Sequence, residues 1–164
     1  MLSGCNSVLS SEADNGSGEE EPEISPGPGS VLAQHGQYLY ILGGSDAEGV
    51  VVGDVRMVRI RDDGTIDQDE WHTQTSLPSP RGGASAFTLG DRIYLLGGRD
   101  ESGIPREDIF FTRIDPATGR LGYGSNERWA RNPRSLPVGL TDAAWTVHQG
   151  RVFLVGGRTA DGPS

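Results

Sequence analysis

Three short apolar runs along the chain end in the same way. The segments QYLYILGG, DRIYLLGG and RVFLVGG each place aromatic and aliphatic residues directly before a glycine pair. Apolar runs of this length that are bounded by turn residues predict β-strands, and no stretch keeps the 3.6-residue spacing of an amphipathic helix. Because glycine reaches positive φ without a steric penalty, each pair can end a strand sharply and let neighbouring backbone approach. The pairs are Gly43-Gly44, Gly97-Gly98 and Gly156-Gly157.

The glycine pairs recur at a nearly constant interval, and two other features recur with them. Trp71 and Trp129 are separated by almost the same interval, and so are the Leu-Pro pairs at 77–78 and 136–137. Three features that share one period and one order define an internal repeat. A period of about 50 residues is typical of β-propeller blades and not of helical solenoids.

One copy of the repeat, from Pro80 to Trp129, predicts four strands. They are GGASAFTLG, RIYLLGG, EDIFFTRI and ERWARN, with turn residues between them. Four short antiparallel strands make one blade, so the predicted fold class is all-β, a partial β-propeller of four-stranded antiparallel blades. The tryptophan is expected to pack against the adjacent blade, and the Leu-Pro pair to restrict the crossover to the next one.

The repeat divides the chain into two full blades and half of a third. We predict blades at about 31–79 and 80–138, followed by an incomplete blade at 139–164. A propeller closes with roughly four to eight blades, and an open end leaves an unpaired strand edge. The 164 residues are therefore expected to be the front of a longer protein. Closure by oligomerisation and a decayed reading frame are the alternatives.

Charge and composition narrow the classes of partner. The formal net charge is −9, there are 25 glycines, and every Lys or Arg position is arginine. The arginines are scattered and form no basic stripe, which argues against nucleic acid as a partner. No apolar run is long enough to predict a transmembrane helix. The acidity is expected to serve solubility.

The segment before the repeat has a different composition. Residues 6–30 are dominated by Ser, Gly, Pro and Glu and contain no basic residue, which predicts a disordered acidic tether. A terminus without a role is the alternative. Ahead of it, LSGC resembles the lipobox of bacterial lipoproteins, and the resemblance implies cleavage before Cys5 and acylation of its thiol. Residues 1–5 would then be a truncated signal remnant, since the charged and apolar regions of a signal peptide do not precede them.

The repeat itself resembles the kelch repeat over about residues 29–164. In that family a hydrophobic strand ends in Gly-Gly and is followed by an aromatic strand, a Trp and a Pro-Arg approach to the next unit. The glycine pairs, both tryptophans and LPSPR at 77–81 match this pattern. The family's Tyr has no counterpart, since Val58 and Phe111 stand near its place, and LPVGLTDAAW lacks the Arg. The inserts DDGTI and PATGRL are similar to the longer hairpins of galactose-oxidase-like propellers.

No residue pattern predicts a catalytic or metal site, so no cofactor and no metal are expected. The histidines lack metal-ligand spacing and are expected to be surface or strand residues: His35, His72 and His148. Cys5 precedes the repeat and cannot supply the Cys-Tyr crosslink of a galactose-oxidase-like copper site. The acidic segment at 61–70 would place Arg59 and Arg61 at ligand positions of an EF-hand, so a solvated hairpin is expected instead. Four aromatic residues could line a sugar-binding surface, although strand spacing favours the core: Tyr38, Tyr40, Tyr94 and Trp145.

Taken together, these patterns and resemblances predict a binding module and not an enzyme. The expected protein is a kelch-repeat β-propeller lipoprotein of the bacterial cell envelope, exported or lipid-anchored at the outer membrane, periplasm or cell surface. Its partner would be a protein or a glycan, and Cys5 would be its only contact with a membrane. The alternative is a fragment of a galactose-oxidase-like or sialic-acid-epimerase-like enzyme whose catalytic residues lie in missing blades.

Overall fold

The computed structural model describes residues 26–124 and 128–163, which form short strands joined by turns and irregular loops. Within those ranges there is no α-helix, and one 3₁₀ helix spans Gln68–Glu70. No helix there is long and apolar enough to cross a membrane. Cys5 and the predicted signal remnant lie outside the described residues, as does most of the predicted tether.

Twelve strands follow one another within the described residues. The first unit contains β1 (Val31–His35), β2 (Tyr38–Leu42), β3 (Val55–Arg59) and β4 (His72–Thr73). The second unit contains β5 (Ser85–Leu89), β6 (Arg92–Leu96), β7 (Ile109–Arg113) and β8 (Ala130–Arg131). The remaining strands are β9 (Ala144–His148), β10 (Arg151–Val155), β11 (Arg158–Thr159) and β12 (Gly162–Pro163).

Both four-stranded sheets are antiparallel and keep the order of the chain. Tight turns join β1 to β2, β5 to β6 and β9 to β10, whereas longer connections precede the third and fourth strands of both sheets. The structure confirms the predicted fold class, with two four-stranded antiparallel sheets that have the form of propeller blades. The predicted divisions after residues 79 and 138 fall in the connections that precede β5 and β9.

The first two units share one hydrophobic core. Tyr40 and Val55 of the first unit, and Ile93, Leu95 and Ile114 of the second, are almost completely buried and belong to one cluster. Strand β1 lies against β5, so the two sheets pack face to face. The hairpin β9–β10 is much less buried than these two units, and three of its large apolar side chains are exposed: Trp145, Phe153 and Val155.

The fourth strand of the second unit is shorter than the sequence predicts. Only two residues of ERWARN pair with β7, and Trp129 stands directly before them. Its indole is buried and donates a hydrogen bond from Nε1 to the Thr75 carbonyl of the first unit at 3.0 Å. This contact confirms the expectation that the tryptophan packs against the adjacent blade. Trp71 precedes β4 in the same way and is half-buried.

The first two glycine pairs join their units to the ones that follow. The amide of Gly43 donates to the Asp54 carbonyl of its own unit, and the amide of Gly44 donates to the Arg81 carbonyl of the next, both at 2.8 Å. Gly98 donates equivalently to the Leu140 carbonyl at 2.8 Å. A Cβ atom at Gly43 would overlap the Arg81 carbonyl oxygen, and φ there is +58°. Only glycine can adopt this φ without strain and also leave room for the Arg81 carbonyl oxygen.

Candidate functional site

The histidines and acidic residues considered in the sequence do not come together at one site. His35 lies in β1, His72 in β4 and His148 in β9, and no three His, Cys, Asp or Glu residues within the described ranges are close enough to hold a metal ion. The acidic hairpin is organised by its own side chains. The Asp63 carboxylate accepts bonds from the Thr65 amide at 2.9 Å and hydroxyl at 2.7 Å, and these bonds lower its pKa.

The aromatic residues considered as a sugar surface take part in packing between elements. The buried Tyr40 hydroxyl donates to the Gly119 carbonyl at 2.7 Å, and Tyr38 donates to the Ala117 carbonyl at 3.0 Å. Both bonds attach β2 to the PATGRL insert of the second unit, and a Cβ atom at Gly119 would press into the Tyr38 ring. Tyr94 stacks on Phe87, with ring centroids 5.5 Å apart. The tilted contact between Phe87 and Trp145 brings those centroids to 5.4 Å.

A buried ion pair lies where the second unit begins. The Arg81 and Asp108 side chains are 2% and 8% exposed and are joined at 2.8 Å. Arg81 also donates to the Ser79 hydroxyl and the Pro80 carbonyl, both at 2.8 Å, and its guanidinium lies 5.3 Å from the Phe110 ring centroid. Burial lowers the pKa of Arg81, and Asp108 opposes that shift.

A polar groove runs between the first and second units, and we call it the inter-unit groove. It has a volume of about 480 Å³. Its walls come from the end of β4 and the residues after it, and from the insert of the second unit and the segment that follows: Thr73, Gln74, Thr75, Arg120, Leu121, Tyr123 and Arg128. Two bonds cross it: the Leu121 amide donates to Gln74 Oε1 at 3.1 Å, and Arg128 donates to the Thr75 hydroxyl at 3.1 Å. The two units are thus fixed relative to each other along this groove.

The groove continues into a second cavity of about 450 Å³ that adds Trp71 and His72 to its lining. Asp115 also lines the groove, but its carboxylate accepts bonds from the Ala117 amide and the Thr118 hydroxyl at 2.9 and 2.8 Å. Those bonds lower the pKa of Asp115. The surface therefore offers guanidinium groups, an aromatic ring that is 52% exposed at Tyr123 and several hydroxyl and amide groups. Such a surface can bind a polypeptide through carboxylate, carbonyl and apolar contacts.

Sequence reasoning did not find this groove. Its only signal in the sequence was the insert before Trp129, which the repeat pattern marks as extra length. Its walls come from segments that are distant along the chain, since Gln74 and Leu121 differ by 47 positions.

The two four-stranded antiparallel sheets define the class of this protein as one built from β-propeller blades, and its sequence is similar to those of known proteins. No protein-family model matches the chain. It is similar to Beta-scruin of Limulus polyphemus, with 24% identity over 127 residues, which cover 76% of this chain and 12% of that protein. It is also similar to Kelch repeat protein M-T8 of Myxoma virus (strain Lausanne), with 26% identity over 93 residues, 57% of this chain and 16% of that protein.

These similarities support placing the chain among kelch-repeat proteins, in agreement with the repeat pattern. The chain spans only 12% and 16% of the length of these two relatives. What the whole protein binds or does is therefore a matter for proposal.

Proposed function

We propose that this chain is part of a β-propeller module that binds another protein through the inter-unit groove. The observation that carries the proposal is the exposure of Arg120, Tyr123 and Arg128 along a groove whose walls are fixed by hydrogen bonds between two blades. The similarity to kelch-repeat proteins supports an interaction role. Tyrosine and arginine are enriched in protein interfaces and among the residues that dominate their binding energy.

The test compares groove variants with a matched surface variant. A partner recovered with the immobilised chain is purified and its affinity is measured by calorimetry. The variants Tyr123→Ala and Arg120→Ala should each weaken binding by roughly tenfold or more, as removal of an interface anchor does. Arg134→Ala, at an exposed position outside the groove, should leave the affinity unchanged. Equal affinities for all four proteins would rule out the groove as the binding surface.

We further propose that the module acts by binding and not by catalysis, and that it needs no cofactor. A glycan is the second class of partner. Incubation of the protein with a panel of mono- and oligosaccharides, followed by mass spectrometry, separates the possibilities. Recovery of unchanged sugars agrees with a binding role, whereas an oxidised or epimerised sugar would favour the galactose-oxidase-like or sialic-acid-epimerase-like alternative.

For the location we propose a bacterial cell envelope, with a lipid anchor on Cys5. The support is the LSGC tetrapeptide followed by the acidic Ser-, Gly- and Pro-rich segment. Expression in a bacterial host with the complete upstream reading frame and an alkyne-labelled fatty acid should give a labelled, membrane-associated protein. The variant Cys5→Ser should lose both the label and the membrane association. An unlabelled protein in that experiment would end the proposal.

A further inference from the structure

The hydrogen bonds of the inter-unit groove determine which polar groups a partner would meet there. This inference rests on the function proposed above, because it concerns the same surface. The groove contains oxygen atoms that can accept hydrogen bonds and N–H and O–H groups that can donate them. Neighbouring residues already occupy these two kinds of group to different extents, and the kind that is left decides the chemistry of the ligand.

Several acceptor groups along the groove are occupied by bonds within the protein. The Thr75 carbonyl accepts from the Trp129 indole at 3.0 Å, and the Arg120 carbonyl accepts from the Asp115 amide at 2.8 Å. The Asp115 carboxylate accepts two bonds from its own turn. These bonds reduce what the groove offers to a hydrogen-bond donor of a partner.

The two bonds that cross the groove leave donors available. Gln74 uses its side-chain oxygen Oε1 to accept from the Leu121 amide, so that bond leaves both N–H groups of its Nε2 atom unused. The Thr75 hydroxyl accepts from Arg128, so its own proton is left to donate. A guanidinium group has five N–H donors and no acceptor, and Arg128 uses one of them in this bond. The bonds thus fix these side chains and leave N–H and O–H groups for a ligand.

The charges of the groove favour an anion. Among the described residues its charged side chains are Arg120, Arg128 and Asp115. Both arginines are exposed, and Arg120 also lines the adjoining cavity together with His72. The groove is therefore locally positive, although the whole chain has a net charge of −9. Hydrogen bonds between guanidinium and carboxylate groups are charge-assisted and stronger than those between neutral groups.

We propose that the groove binds an acidic segment of the partner protein through the carboxylates of its Asp or Glu side chains. Arg120 and Arg128 would pair with these carboxylates, and the Gln74 amide would donate a further hydrogen bond. The exposed Tyr123 ring offers an apolar contact for a residue between the acids. The groove continues into the second cavity, so its length suits an extended segment better than a small free anion.

The test is an NMR titration of the isotope-labelled full chain with a blocked peptide, Ala-Glu-Leu-Glu-Ala. We expect saturable shifts of the backbone amides of Leu121 and Tyr123 and of the side-chain amide of Gln74. The peptide Ala-Gln-Leu-Gln-Ala, which has nearly the same shape without the charges, should bind at least tenfold more weakly.

The variant Gln74→Glu tests the donors directly. Glutamate keeps an oxygen that can accept from the Leu121 amide, but it replaces the N–H groups with a second, negatively charged acceptor. It should weaken binding of the glutamate peptide at least tenfold, as should Arg120→Ala. Arg134→Ala, at an exposed position outside the groove, is the matched control and should bind as the unmodified chain does. Unchanged amide resonances far from the groove show that each variant is folded.

Three results would overturn the inference: no saturable shifts around the groove, equal affinity for the glutamine peptide, or unchanged affinity of Gln74→Glu and Arg120→Ala. Tighter binding of free glutamate than of the peptide would identify a small anion and reject a protein segment. The proposed function fails separately. If Tyr123→Ala weakens binding of a purified partner while the glutamate peptide does not bind, the groove is a binding surface for a segment that is not acidic. If neither ligand responds to the groove variants, both proposals fall.

Discussion

At the scale of single residues, Arg81 and Asp108 form an ion pair with almost no access to solvent. Removing two charges from water is expensive, and only close geometry and further hydrogen bonds offset that cost. Both are present, since Arg81 has three bonding partners and Asp108 is flanked by two more arginines. The pair therefore serves to fix the position at which the second unit begins.

Loss of the arginine should be strongly destabilising. Arg81→Ala leaves the buried Asp108 carboxylate without its closest partner, and we expect a loss of about 3 kcal/mol in the free energy of unfolding, measured by urea denaturation. The control Arg134→Ala, on an exposed side chain, should stay within about 0.5 kcal/mol of the unmodified protein. A loss below about 1 kcal/mol for Arg81→Ala would show that Arg106 and Arg131 suffice to compensate the carboxylate.

The glycine pairs allow a comparison between two equivalent positions. Gly97 and Gly156 have φ values of +63° and +65°, so alanine carries the same backbone cost of about 1–2 kcal/mol at either one. At Gly97 the new Cβ atom would also overlap the Leu140 carbonyl oxygen, whereas at Gly156 nothing lies within 4 Å. We expect Gly97→Ala to destabilise the protein by at least about 1 kcal/mol more than Gly156→Ala in thermal unfolding. Equal losses of stability would mean that the positive φ alone, and not the contact with Leu140, makes glycine necessary at position 97.

At the scale of elements, the PATGRL insert is attached to β2 by tyrosine hydroxyls. Burial raises the pKa of the Tyr40 hydroxyl above its usual value of about 10. The folded state thus holds this proton more tightly than the unfolded chain does. The stability that depends on it is complete below about pH 10 and is lost as the pH rises further.

Tyr40→Phe should therefore change stability in a pH-dependent way. At neutral pH the lost bond to Gly119 should cost about 1 kcal/mol. Above about pH 10 the unmodified protein should lose stability more steeply than the variant, because phenylalanine has no proton to release. Urea unfolding at a series of pH values measures both effects, with Tyr123→Phe as an exposed control at neutral pH. If the free energies of unfolding of the two proteins changed in parallel with pH, the Tyr40 hydroxyl would not change its protonation on unfolding.

The strands were predictable because their signals are local. RIYLLGG gave β6 within two residues, since an apolar run and its terminating glycines occupy neighbouring positions. The fourth strand of the second unit was predicted too long, because only Ala130 and Arg131 pair with β7 although β7 spans five residues, and the Trp129 indole is bonded to the first unit. The Arg81–Asp108 pair and the groove were not predictable, since each joins distant segments through the packing of one blade on another.

At the scale of the whole molecule, equivalent strands of different units are buried to different extents. In β6 the side chains of Ile93 and Leu95 are fully buried, whereas in β10 Phe153 is 47% exposed. Among the described strands, β10 pairs with β9 alone. We expect backbone amides of β6 to exchange with solvent at least tenfold more slowly than those of β10, because opening β6 disrupts the shared core. Hydrogen-exchange mass spectrometry checks this, with β2 as a covered strand of the same kind. Equal protection of β6 and β10 would contradict the expectation.

The bonds from Gly44 to Arg81 and from Gly98 to Leu140 also have a consequence for synthesis of the chain. Each one closes a unit with a carbonyl that lies just after the end of that unit, at the start of the following one. As the polypeptide leaves the ribosome, a blade can therefore complete these bonds once the first residues of the next unit have emerged, without waiting for the rest of the chain. Loops of this length are entropically inexpensive to close, so maturation can proceed from the amino end in successive steps.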